Sequence, residues 1–273
     1  MHRLFAYASA VDQREISRAM NDIEGKITTN DEVAPGYYLL KVKLSRPMDP
    51  FVPGQFVMIR VPDRGVFLRR PFSIYDYHRP VLSLLYKVVG KGTEILSKTG
   101  KNEKVSVLCP LGKGFYLQKR QEYVILSGGI GIAGVHALIR RLGTRSSVFF
   151  GCAAKKELAL IKEIDTLPVS VSVSTLDGSY GFHGTVVDLL SEHLTTLREK
   201  DIEIFACGPA AMLKALRRIL EKDKTPCQVL LEERMACGLG LCFGCVTKTV
   251  DEAEPYKRVC KEGPVFDLWE VCL

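Results

Sequence analysis

Four cysteines gathered in one stretch place the tightest constraint on this chain of 273 residues: Cys237-x4-Cys242-x2-Cys245-x14-Cys260. There are nine cysteines in all, and the other five, Cys109, Cys152, Cys207, Cys227 and Cys272, are scattered. An odd total argues against a disulfide framework, and the scattered ones read as small buried apolar residues. The bunched four ask for a metal. Structural zinc usually takes two short Cys pairs separated by a longer stretch. Three cysteines in a tight loop with the fourth arriving later is instead the plant-type ferredoxin spacing of a [2Fe–2S] cluster. Gly238, Gly240 and Gly244 let the backbone wrap closely and turn N–H groups toward sulfur. The spacing ranks a cluster above zinc, and zinc above free thiols. Regular periodicity fades from Thr225 onward, so residues 225–273 read as a small loop-rich module held by something other than a large core.

The rest of the chain has two grammars. Residues 1–21 are polar with weak helical patterning, continuing to about Glu24, and read as an N-terminal extension. Short β-rich runs follow at Tyr37 to Leu44, Phe56 to Val61, Val81 to Val89 and Val105 to Leu108, punctuated by Gly and Pro; residues 22–117 read as a small antiparallel β-barrel. Over 118–224, strand-like runs at Tyr123 to Ser127, Ser147 to Phe150, Val169 to Ser174 and Ile202 to Ala206 alternate with helical patterns. Those patterns fall at Val135 to Leu142, Glu157 to Ile164, Val186 to Leu194 and Ala210 to Leu220. Alternation of that kind predicts βαβ units on a parallel sheet. The fold class is therefore α+β and multidomain: barrel, α/β domain and cysteine module.

Charge is uneven. From Thr225 to Leu273 there are five Lys+Arg and eight Asp+Glu, a net −3, so the remainder carries 33 basic and 23 acidic residues, a net +10. Dense Lys/Arg clusters interleaved with aromatics are missing, so anionic cofactors account for the basic body better than nucleic acid does. Apolar runs are too short for a membrane span, and Leu4 to Val11 is too short and polar for a signal-peptide core. The expected compartment is the cytoplasm.

Three loops carry candidate chemistry. Ser127-Gly128-Gly129-Ile130-Gly131-Ile132-Ala133 joins a strand to a helix, where glycines permit close approach of a diphosphate; it does not match G-x-G-x-x-G, and a plain βα turn is its ordinary alternative. Cys207-Gly208-Pro209 stands at the carboxyl end of a strand, where open α/β sheets bind ligands, although alone it reads as a buried Cys before a turn. Thr175-Leu176-Asp177-Gly178-Ser179 is a further polar turn at a strand end. In the barrel, Arg69-Arg70-Pro71-Phe72-Ser73 sets a cation suited to a diphosphate beside an aromatic and a hydroxyl. Leu85-Tyr86-Lys87 and Gly90-Lys91-Gly92-Thr93 add an aromatic, a second cation and a flexible turn, with a basic strand and β-turn as the plainer account.

In this order these motifs, with Glu233-Arg234-Met235-Ala236-Cys237-Gly238 and Arg258 to Phe266, resemble the electron-transfer subunits of B-type dihydroorotate dehydrogenases, within the ferredoxin reductase superfamily, over roughly residues 22–273. The resemblance implies FAD held by Arg70, Pro71, Phe72, Ser73, Leu85, Tyr86, Lys87, Gly92 and Thr93. It implies NAD across Gly128, Gly129, Gly131, Cys207, Gly208 and Pro209, and a [2Fe–2S] cluster on Cys237, Cys242, Cys245 and Cys260. Phe72 stands where many relatives have Tyr, and Gly134 where Pro is common.

A flavin exchanges electrons in pairs with nicotinamide and singly with a cluster, so the expected role needs ordered cofactors and no triad or general base. The implied partner is an FMN-containing catalytic subunit that oxidises dihydroorotate in pyrimidine biosynthesis, in a heterotetramer. Two other readings stand beside it: an electron-transfer subunit of an NADH-dependent ferredoxin:NADP oxidoreductase or a sulfide dehydrogenase, and a zinc-stapled module without redox work. Retention of all four cysteines favours the dihydroorotate enzyme, since some of the rival subunits replace one with Asp. The preference for NAD over NADP comes from the resemblance alone.

Overall fold

The computed structural model describes residues 21–60 and 65–273, so the N-terminal extension, apart from Asn21, lies outside the described residues. Asn21 opens a strand, β1 (Asn21–Ala34), which pairs with β2 (Tyr37–Leu44). Residues 21–24, read with the extension, are therefore strand. Ile23 and Ile27 point into the core while Asp22, Glu24 and Lys26 face outward, a period-2 pattern that the many polar residues conceal.

Four more strands and a helix complete this half before its closing strand: β3 (Phe56–Arg60), β4 (Arg70–Ser73), β5 (Asp76–His78), β6 (Val81–Lys87), α1 (Lys91–Ser97) and β7 (Lys104–Leu111). The antiparallel order is β4-β3-β7-β1-β2-β6-β5. The two edges are sequence neighbours, and Tyr75 N donates to Ser83 O in β6, so the sheet curls round a core that includes Leu40, Ile59, Ile74, Leu84 and Val107. Pro71 sits on an edge strand, where a missing N–H costs no ladder bond. The expected flexible turn at Gly90 to Thr93 is the start of α1. Thr93 Oγ accepts from Val89 N and Gly90 N and fixes that entry.

The second sheet contains β8 (Glu122–Gly128), β9 (Ser146–Cys152), β10 (Ser170–Thr175), β11 (Phe182–His183), β12 (Ile202–Cys207), β13 (Cys227–Leu230) and, from the cysteine module, β16 (Val265–Asp267). The order is β11-β10-β9-β8-β12-β13-β16, parallel throughout except for antiparallel β13–β16. Both β13 and β16 lie beyond residue 225, so the cysteine segment supplies an edge of this sheet. Helix α2 (Ile132–Leu142) packs with Tyr123, Ile125 and Phe150; α3 (Val186–Leu197) and α4 (Ala210–Leu220) pack with Val124, Leu126 and Phe149. Alternate residues thus serve opposite faces, and helices on both sides explain why β8 and β12 are almost continuously buried. The helix expected at Glu157 to Ile164 is instead 3₁₀ turns at Lys155–Ile161 and Ile164–Thr166.

The cysteine module adds a two-stranded ribbon, β14 (Val246–Lys248) with β15 (Tyr256–Arg258). Its buried Cys245, Val259, Cys260, Phe266 and Leu268 share one core with Phe56 and Met58 of the barrel and Leu213 and Leu216 of α4. Arg217 fastens it further, donating to Val271 O with its guanidinium 5.7 Å from the Trp269 ring.

Candidate functional site

Two clefts meet at the junction of the three parts. The first, about 290 Å³, is lined by Arg70, Pro71, Phe72 and Ser73 of β4, by Leu85, Tyr86 and Lys87 of β6, and by Thr93. Two arginines of the barrel motif have separate fates. Arg69 is locked to Asp22 at 2.6 Å and also donates to Met58 O and to Ser106, so it is a structural tie. Among the described residues Arg70 pairs with no carboxylate; it donates only to the Leu68 and Arg69 carbonyls. That leaves its charge for an anion. Gly92 does not line the cleft, but a Cβ there would meet the Arg70 guanidinium, so it backs that side chain. Phe72 is buried edge-on to Tyr86 with centroids 5.5 Å apart, an apolar wall suited to a flat ring system. The Tyr86 hydroxyl donates to Asn30, and burial raises its pKa.

The second cleft, about 730 Å³, opens across the carboxyl ends of the parallel strands. Gly128, Gly129 and Gly131 line it with Gly208 and Pro209. A Cβ at Gly131 would run into the Cys207 carbonyl, so the two loops touch only because this position is bare. Gly129 has φ +53° and open space where a side chain would stand, which exposes backbone to the cleft. Cys207 itself lies beneath the surface, and its complete burial raises its thiol pKa far above the ordinary value. Ser174 Oγ, in the cleft wall, is buried and has no hydrogen-bond partner, a donor left for a ligand.

Lys87, Ile130, Leu231, Glu232 and Glu233 line both clefts, which therefore adjoin. Lys87 Nζ stands 4.8 Å from the Tyr37 ring centroid, so this cation marks the junction. Sequence reasoning missed Tyr37 and Glu232, because nothing local marks them and only the packing of barrel on sheet brings them together. Surrounding protein desolvates the Glu232 carboxyl and holds its pKa above the usual range, although the side chain still reaches solvent.

The four bunched cysteines sit as neighbours, Cys237 beside Cys242 and Cys245 beside Cys260. Among the described residues no three His, Cys, Asp or Glu side chains converge on one ion. Four thiols flanked by backbone N–H donors suit the two irons of a [2Fe–2S] cluster. Backbone N–H groups aim at sulfur throughout: Leu239 at Cys237 (3.4 Å), Gly244 at Cys242 (3.4 Å), Cys260 at Cys245 (3.4 Å) and Gly240 at Cys260 (3.1 Å). Burial first, then the neighbouring Cys245, pushes the Cys260 thiol up to about 12. At Cys237 burial works the same way but is outweighed by N–H donors from Leu239, Cys242 and Leu241, which lower it to about 7. Arg258 closes the loop, donating to Gly240 O at 2.8 Å, pairing with Glu262 and lying 4.8 Å from the Phe243 ring. Cys242 is exposed, between Leu241 at 76% exposure and Phe243 at 60%, so this edge of the module is both thiol-bearing and apolar.

Residues 232–272 match the iron–sulfur cluster binding domain of dihydroorotate dehydrogenase B. Over 256 residues the chain is 36% identical to the dihydroorotate dehydrogenase B (NAD(+)) electron transfer subunit of Desulforamulus reducens, covering 91% of this chain and 97% of that protein. The Listeria welshimeri protein of the same name is also 36% identical, over 93% of this chain and 100% of its own length.

The chain belongs to the family of dihydroorotate dehydrogenase B electron transfer subunits.

A solved structure reported for flavin-based electron bifurcation, an NADH-dependent reduced ferredoxin-NADP oxidoreductase, superposes with a TM-score of 0.80 at 26% identity, over 91% of this chain and 89% of that one. A ferredoxin NADP+ reductase from Neisseria gonorrhoeae shares the fold, with a TM-score of 0.61 at 18% identity over 73% of this chain and 90% of its own. Within the electron transfer subunit family, the matched cluster domain holds all four bunched cysteines. The two clefts belong to the preceding barrel and sheet. Among the described residues no helix is long and apolar enough to cross a membrane.

Proposed function

We propose that the chain carries electrons between a dihydroorotate-oxidising partner subunit and NAD, in the cytoplasm, with FAD in the first cleft, nicotinamide dinucleotide in the second and a [2Fe–2S] cluster on Cys237, Cys242, Cys245 and Cys260. The observation that supports it most is the adjacency of the clefts along Lys87, Ile130, Leu231, Glu232 and Glu233, with the cysteine loop starting a few residues later. A bound flavin would supply the exchange between paired and single electrons that nicotinamide and an iron–sulfur centre require.

This chain's residues bind and order. Arg70 neutralises a diphosphate, Pro71, Phe72, Leu85 and Tyr86 exclude water from a ring, and Ser73 and Lys87 address its polar edge. Gly92 keeps Arg70 in place and Thr93 shapes the turn beside it. Gly128, Gly129 and Gly131 admit a second diphosphate close to backbone, facing Gly208 and Pro209, while Cys207 underlies the contact. N–H donors at the four sulfurs stabilise negative charge there and so raise the potential at which the site accepts an electron.

The partner is an FMN-containing catalytic subunit, two of each chain forming a heterotetramer. It docks at the exposed Leu241–Phe243 edge, where an electron has the shortest way in past Cys242. Anaerobic isolation of the native complex, followed by addition of dihydroorotate and NAD, is expected to give NADH. A complex that NADH reduces but dihydroorotate does not would move the assignment to a second reading, a subunit of an NADH-dependent ferredoxin:NADP oxidoreductase. The 0.80 TM-score supports that alternative.

A further inference from the structure

One barrel residue is gripped by the α/β domain at the seam between the two clefts' supports. Tyr75 lies two residues past Ser73, in the link from β4 to β5, and is buried. The His136 ring of α2 lies flat against the Tyr75 ring, centroids 3.8 Å apart and planes 12° apart. His136 Nδ1 is 3.0 Å from the Tyr75 carbonyl oxygen, and since a carbonyl only accepts, Nδ1 carries the proton and donates. Its Nε2 stands 3.9 Å from the Glu163 carboxylate, which also adjoins the Tyr75 hydroxyl. Burial lowers the His136 pKa below its ordinary value. At 1% exposure it lines neither cleft.

The same helix touches the flavin strand two residues earlier. A Cβ on Gly134 would lie 3.5 Å from Ser73 Oγ, 3.0 Å from Cys207 Sγ and 2.9 Å from Leu230 Cδ1. Helix α2 therefore leaves the glycine loop, rests its bare first turn against Ser73 and is held on its next turn by Tyr75. Stacking resists opening of this seam, and the hydrogen bond resists sliding along it.

We propose that His136 and Tyr75 form an interdomain clasp that fixes the nicotinamide loop against the flavin strand, making His136 a positioning residue for hydride transfer. The inference rests on the cofactor assignment above. Hydride transfer is steep in distance, and a displacement of about 1 Å costs up to about 100-fold in rate.

The test uses the whole complex, loaded with FAD and cluster, and reads flavin bleaching by NADH in a stopped-flow instrument. His136→Ala is expected to slow the limiting rate at saturating NADH by about tenfold or more, with NADH affinity and dihydroorotate-driven reduction unchanged. His136→Asn, which keeps a donor for the Tyr75 carbonyl, restores part of the rate. Should the Ala variant not fold, His136→Phe keeps the stacked ring, removes the donor and is judged by the same criterion. A variant that melts at lower temperature but keeps the wild-type limiting rate overturns the clasp, as does one that loses both half-reactions equally. Failure of NADH to bleach the wild-type flavin would count against the cofactor assignment instead.

Discussion

In the α/β domain, β8 and β12 are buried almost end to end, and two groups of large side chains fill the space above and below the sheet. In the cysteine module next to it, β14, β15 and β16 have three residues each, and the innermost loop turns its N–H groups toward sulfur. The first region is organised by burying apolar area, at about 25 cal/mol per Å². The second borrows its core from its neighbours and spends its own backbone on four thiols. Specification by side-chain packing and specification by a bound group thus coexist in one chain, and perturbations can tell them apart.

The largest effect is expected from Cys260→Ala. Removing a buried thiol that accepts the Gly240 N–H should abolish the visible iron–sulfur absorption and open the module to hydrogen exchange over residues 246–262. Amides of β8 and β12 should stay protected. Loss of protection in both regions would erase the distinction.

Gly131→Ala strikes the other side. A Cβ driven into the Cys207 carbonyl should cost about 1–3 kcal/mol by denaturant titration and weaken NADH binding, with the cluster spectrum intact. A loss of cluster in that variant would show that the module depends on the sheet more than its borrowed core implies.

The two adjacent arginines make a smaller, sharper contrast. Arg70→Ala should release FAD on gel filtration while leaving the thermal midpoint of the flavin-free protein unchanged. Arg69→Ala should lower that midpoint by breaking the ties to Asp22, Ser106 and Met58, about 1–2 kcal/mol, and keep FAD.

The smallest effect concerns Glu203, buried in β12 with one oxygen on Gln228 and the other unpartnered. Burial raises its carboxyl pKa above the unfolded value. Between the two values the folded state binds more protons than the unfolded one, so stability falls as pH rises through that window. Glu203→Gln keeps the acceptor for Gln228 and should flatten this slope in urea titrations between weakly acidic and neutral pH. An unchanged slope would remove Glu203 as its source.

Much of this was legible along the chain. Ala210 to Leu220 read as a helix because its apolar residues recur at helical period, and that is the span of α4. Tyr37 to Leu44 is likewise β2 as read. The cysteine spacing carried the choice of cluster because ligand geometry is written in local sequence. What stayed hidden was set by tertiary neighbours. The first residues of β1 looked polar because their outer face is solvated, and Glu157 to Ile164 had apolar periodicity but takes 3₁₀ turns. Tyr37, Glu232 and His136 carry no local signal; they acquire roles only when barrel and sheet meet. The difference between Arg69 and Arg70 was equally invisible, since it depends on Asp22, far away in sequence and adjacent in space.

The pairing of β16 with β13 has a consequence for how the chain is made. Until Val265 to Asp267 leave the ribosome, β13 has β12 on one side and nothing on the other, an unpaired edge open to other nascent chains. The four cysteines emerge before the strand that covers this edge. Cluster loading and sealing of the sheet against aggregation are therefore tied to one short stretch of polypeptide. Cells starved of iron should accumulate this chain in inclusion bodies before they accumulate it as soluble apoprotein.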